Sequence, residues 1–149
     1  MSAPTINIEE NKKLFLDLVG SIERDGIKEL VAFLEKSDFF TAPASTRFHC
    51  SLPGGLALHS LNVYHMFEHK CNSEPFKSIL GDMPEDSRKI ITLLHDVCKT
   101  YMYEIDYRNK KIYSDTGSKR DEKGKFDWAA VEYYTINAVS YTHLRAHET

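Results

Sequence analysis

The chemistry in this chain is concentrated in Leu93-Leu94-His95-Asp96-Val97-Cys98-Lys99, with a second histidine upstream at His59. Imidazole nitrogen and carboxylate oxygen both ligate divalent cations. Two histidines with one aspartate suit Mn, Fe, Ni, Zn or Mg-like ions, so the residue types admit a divalent metal without selecting one. Neighbouring residues on an ideal helix point about 100° apart, so His95 and Asp96 cannot share one stripe. At a helix end both can lean toward a common cation. A carboxylate among apolar neighbours is costly unless it is paired or bound to metal. Each residue also has a plain reading. A lone histidine on an apolar face is commonly a hydrogen-bonded core residue, and a His-Asp dipeptide alone is a weak motif. The combination is stronger, because a second inward histidine precedes it and Lys99 follows three residues later.

Helices must position these groups. Residues 8–20 read as a helix with Leu14, Phe15, Leu18 and Val19 as its apolar stripe and Gly20 as its stop. A second runs over 24–36 on Ile27, Leu30, Val31 and Leu34. A third starts near Gly55 and reaches about Lys70, with Leu56, His59, Val63, Met66 and Phe67 on one face, leaving His65 and His69 exposed. Residues 71–83 hold a short helix or loop. Pro84 with Glu85 and Asp86 opens a fourth helix that turns Ile90, Ile91, Leu94, His95 and Cys98 inward. Beyond Lys99, Tyr101, Tyr103, Ile105 and Tyr107 alternate with polar residues, a strand pattern. Asn109-Lys110-Lys111 reads as a turn into a short strand at Ile112-Tyr113, residues 114–125 as a flexible loop, and 126–136 as either strand or helix.

The bulk numbers bound the rest. A chain of 149 residues, 42% hydrophobic, fits one domain with a core. A net charge of −3 gives no global basic footprint for nucleic acid or an anionic membrane, though a local basic site remains compatible with it. No apolar run is long enough to span a bilayer, and the N-terminus lacks the pattern of a secretion signal. Cys50, Cys71 and Cys98 are odd in number and form no CxxC. They read as reduced thiols of a cytoplasmic protein.

Gly54-Gly55-Leu56-Ala57-Leu58-His59-Ser60-Leu61-Asn62-Val63 followed by Leu94-His95-Asp96-Val97-Cys98-Lys99 resembles the HD superfamily of metal-dependent phosphohydrolases. The Gly-Gly-Leu-x-x-His-Ser-Leu form is similar to the HD domain of some bacterial 3′–5′ exoribonucleases and of phage-associated HD proteins. The resemblance is strong over residues 40–110 and weaker over the N-terminal helices. It implies a mainly α fold, an HD-like helical bundle with a late β-hairpin. It also implies His59, His95 and Asp96 as metal ligands, Asp96 and Lys99 as catalytic groups, and Arg47, His49 and Lys99 as contacts to the substrate phosphate. Arg47 has a plain reading as a solvated loop charge, and Lys99 as a cation at a helix C-terminus. The implied reaction is metal-assisted hydrolysis of a nucleotide or nucleic-acid phosphoester.

The family's last aspartate has no evident counterpart. Asp106, Asp115, Asp121 and Asp127 all fall in the hairpin or its loop. Residues 140–149 resemble translated sequencing-adapter read-through, which leaves His143 and His147 without a role. The expectation is therefore a partial, truncated HD domain over 1–139, with N-terminal helices over 8–37, metal-site helices over 54–99 and a hairpin over 100–136, followed by a non-native tail. The competing function is a non-catalytic helical module that binds a nucleotide or a protein partner. Nothing in the pattern specifies an oligomeric state.

Overall fold

Asn7 opens the first helix, α1 (Ile8–Gly20), by accepting the Glu10 backbone N–H on its side chain at 3.1 Å. Its amide in turn donates to the Glu10 carboxylate. This reciprocal cap and the acids Glu9 and Glu10 suit the positive helix end. Phe15 and Val19 are its buried residues, whereas Leu14 is exposed. The expected stripe is therefore narrower and centred on Phe15. The structure is a computed structural model that describes residues 5–114, 117–118, 124–126 and 128–137.

The second helix, α2 (Ile27–Lys36), begins three residues later than the periodicity suggested. Gly26 sits before it with φ of 90°, a left-handed conformation that holds the preceding turn outside the helix. After α2, Phe39 and Phe40 close over Phe15, with ring centroids 4.8 and 5.6 Å from it. These rings join Val19, Leu34, Leu56, Leu61 and Leu93 in one core.

The third helix, α3 (Gly55–Cys71), packs against α1 and against a later helix, α5 (Glu85–Leu93). Its entry is sterically fixed. A Cβ on Gly55 would overlap the Cys50 carbonyl oxygen, and Gly54 has φ of 82° against Ile8. The buried face of α3 carries Leu56, Ala57, Ser60, Leu61 and Tyr64, and Met66 is 60% exposed. The expected face was rotated: the small residues Ala57 and Ser60 face the core, and His59 lies at its margin. Between them α4 (Lys77–Leu80) is the short helix allowed for over 71–83. On α5 the inward residues are Lys89, Thr92 and Leu93, while Ile91 is exposed and so are His95 and Cys98 beyond the helix, against the expectation that all three turn inward. Lys89 is buried because its ammonium donates to Ser21 Oγ at 2.7 Å.

Strand β1 (Tyr103–Lys111) runs straight through the expected turn at Asn109-Lys110-Lys111. Its partner is β4 (Trp128–Ile136), antiparallel, in register from Tyr103↔Ile136 to Lys111↔Trp128. The ambiguous segment 126–136 is therefore largely strand. A minor strand, β2 (Tyr113–Ser114), overlaps the short strand expected at Ile112-Tyr113 and pairs with β3 (Gly117–Ser118), which lies within the segment expected to be loop. The chain is mainly helical with a late antiparallel ribbon. Asp115, Asp121, Asp127 and residues 140–149 lie outside the described residues, while Asp106 lies exposed on β1 and accepts a hydrogen bond from the Tyr133 hydroxyl. No helix among the described residues is long and apolar enough to cross a membrane.

Candidate metal centre

Two elements deliver the ligand-type side chains. His59 stands one turn into α3, whose start is held by Gly54 and Gly55. The α5 helix stops at Leu93, and the chain turns through His95 and Asp96 into the short 3-10 helix Val97–Lys99. That turn lets the adjacent His95 and Asp96 point to one place, which an uninterrupted helix would forbid. One ligand atom from each of His59, His95 and Asp96 lies within 4.8 Å of the others. This group can hold a metal ion.

The carboxylate oxygen Asp96 Oδ2 is the centre of the arrangement. His59 Nε2 is 3.4 Å from it, His95 Nε2 3.3 Å and Lys99 Nζ 3.3 Å. The Asp96 side chain is only 15% exposed. On His95 the other ring nitrogen, Nδ1, lies 2.6 Å from the Thr92 carbonyl oxygen. A carbonyl only accepts, so Nδ1 carries the hydrogen and a neutral ring presents the Nε2 lone pair to Asp96. The three ligand-type atoms stand at separations that two or three ligands of one ion can have. The donor set thus fits a divalent ion, and the Thr92 contact is the outer hydrogen bond that commonly orients a ligating histidine.

Burial pushes the His59 pKa below 6.5, and the neighbouring His49 pushes it the same way against the opposing pull of Asp96. A neutral imidazole is the form that ligates. The His49 ring lies 4.7 Å from that of His59, and the His95 ring 5.3 Å. His49 is therefore beside the group although it is not one of its three ligands.

Lys99 points back into the protein, donating to the Ala44 carbonyl at 2.9 Å as well as pairing with Asp96. The Tyr103 hydroxyl donates to the same carbonyl at 3.3 Å. Arg47 diverges from this cluster. It lines a cavity of about 350 Å³ with Arg108 and Tyr133 of the ribbon. The structure thus assembles His49, His59, His95, Asp96 and Lys99, and places Arg47 at the neighbouring ribbon cavity. Three contributors carried no sequence signal of their own. Thr92 acts through its backbone, Tyr103 looked like one more alternating strand residue, and Arg108 gains meaning only from the strand pairing that brings it to Arg47. Compared with protein families, curated proteins and solved structures, the chain matches none.

Proposed function

We propose that the chain is a metal-dependent phosphohydrolase of the HD type, acting on a nucleotide or nucleic-acid phosphoester, with His59, His95 and Asp96 as the metal ligands. The observation that carries this reading is the pair of Nε2 atoms gathered within 3.4 Å of one Asp96 oxygen, with the other nitrogen of His95 held by the Thr92 carbonyl. A divalent ion in this group supplies Lewis acidity toward water and a phosphoryl oxygen. The protein supplies the rest. Asp96 lies beside both imidazoles, Lys99 adds positive charge on the side of Ala44, and His49 stands beside His59 where an anionic substrate would approach. The resemblance to the HD superfamily in the two motifs supports the same reading.

The test is metal content and turnover on the purified full chain. After loading with Mn, Fe, Ni, Zn or Mg, at least one ion is retained near stoichiometry and supports hydrolysis of a nitrophenyl phosphodiester. Asp96→Ala loses both. Protein that retains no ion from any of the five overturns the reading.

The Lys99 contact favours a second reading. An ammonium 3.3 Å from Asp96 already neutralises the carboxylate, so the cluster can also serve as a purely structural ion-pair network in a binding module. Under that reading Asp96→Ala lowers Tm and leaves metal content unchanged.

A further inference from the structure

The β1–β4 ribbon carries a set of side chains that neither the core nor the metal group uses. Its first cavity, about 350 Å³, is lined by Thr46, Arg47, Arg108, Tyr133 and Thr135, among others. A second, about 450 Å³, is lined by Arg108, Lys110, Lys111, Tyr113 and Trp128. Arg108 borders both; the register sets Arg108, Lys110 and Tyr133 on one face of the ribbon and Lys111 and Trp128 on the other, and the second cavity takes in residues of both faces. Among the described residues no acid lines either one. The cations are interleaved with rings. Arg108 lies 5.1 Å from the Tyr133 ring, and Lys111 lies 4.0 Å from Phe126 and 5.5 Å from Trp128. Tyr113 and Trp128 are both more than half exposed. Two acids stand nearby, Asp106 accepting from the Tyr133 hydroxyl and Glu132 from that of Tyr107; both keep their charge and subtract from the attraction the four cations supply. A third cavity, on the Ser51 and Pro53 side, has Glu132 in its wall and no cation.

We propose that this ribbon seats single-stranded nucleic acid, with phosphates tracking from Arg47 through Arg108 to Lys110 on one face and the strand passing over the ribbon edge, where Lys111 and the exposed Tyr113 and Trp128 rings line the same cavity as Arg108. Alternating cations and exposed π faces are the chemistry that holds an unpaired strand. Arg108 to Lys111 alone spans about 10 Å of strand, and Arg47 extends the track, which is more than one phosphate needs. A duplex hides its bases and cannot use the rings. The track also leads to the metal group. Arg47 and His49 are two residues apart, so their Cα atoms lie within about 7 Å, and the His49 ring packs beside that of His59. Seating a strand does not require the hydrolase reading, because binding can be measured on metal-free protein.

The chain has a single tryptophan, Trp128, at the site itself. Unlabelled twelve-nucleotide oligo-dT and oligo-U are titrated into the full chain in EDTA at low salt, following tryptophan fluorescence, and fluorescein-labelled strands are followed by anisotropy. The expected result is saturable quenching with a salt slope up to about −2.8, from four cations at about 0.7 each. Arg108→Ala weakens binding roughly tenfold and removes about 0.7 from the slope. Lys110→Ala, at a more peripheral exposed position, repeats the slope change if Arg108→Ala perturbs folding. Trp128→Phe abolishes the quench and keeps the anisotropy change. The relative affinity of the two oligomers assigns the sugar preference of the bound strand. The proposal is overturned if neither oligomer gives quench or anisotropy change, or if thymidine monophosphate or a duplex binds as tightly as the strand.

Discussion

Thr92 contributes to the site through an atom every residue has, and that shapes what substitutions will report. Its carbonyl fixes the His95 tautomer, so a change at the Thr92 side chain leaves the ligand geometry in place. Removing the imidazole does not. We expect His95→Ala to lower metal affinity by more than the roughly 10–100-fold that loss of an outer partner costs, measured by competition with a chromogenic chelator. Acid should act through His59. Its folded pKa is held below 6.5 by burial, so between that lowered value and 6.5 the unfolded chain binds more protons than the folded one. Stability of the metal-free protein therefore falls as pH drops through this window, and it levels off below the folded pKa. Chemical denaturation at pH 7.5 and 5.5 checks the sign, with His59→Gln giving a flatter profile. A proton also competes with metal at this ring, so affinity for the ion falls over the same acid range.

At the scale of elements, the start of α3 is the least forgiving point. Gly55→Ala places a methyl on the Cys50 carbonyl. The expected cost is at least about 1–3 kcal/mol, as for an overpacked core, read as a lower denaturation midpoint together with weaker metal retention. The glycine pair was legible in the sequence as a helix start, and so were the ends of α1 and the Pro84 entry to α5. The face of α3 was not. Counting large apolar residues put Met66 inward, but the neighbours approach along Ala57 and Ser60. The approach of a partner helix is a tertiary fact that periodicity does not carry. The strand pairing failed for a similar reason. Asn109-Lys110-Lys111 has turn-like residues, yet pairing with Trp128, Ala129 and Ala130 keeps it extended. The candidate ligands were legible because their residue types are rare on apolar elements. The separation of Arg47 from His49 was not, since it depends on the ribbon that Arg47 meets.

For the whole molecule, the His59 and His95 contacts with Asp96 join α3 to the turn after α5, two parts joined otherwise by the core. An ion that binds only the folded state should therefore stabilise all of it. At about 100 times its Kd the gain is about 2.7 kcal/mol, or roughly 5–10 °C in Tm for a domain of this size. Differential scanning calorimetry with and without metal measures this shift, and Asp96→Ala should abolish it. The core sets the ceiling on that stability. Phe15→Ala, which empties the contact with Phe39 and Phe40, should cost about 3–5 kcal/mol by urea denaturation. The Ala44 carbonyl has a different consequence. Lys99 beside the ligands and Tyr103 on the ribbon both donate to this one oxygen. Such a junction is hidden from alanine scanning at its own position, because no side-chain replacement removes a backbone acceptor. It can be addressed only from the donor side, and each donor partly covers for the other. Tyr103→Phe alone should look nearly silent, and its effect should emerge only alongside Lys99→Met. A scan of single substitutions would therefore place the coupling between ribbon and ligand turn nowhere, though one atom makes it.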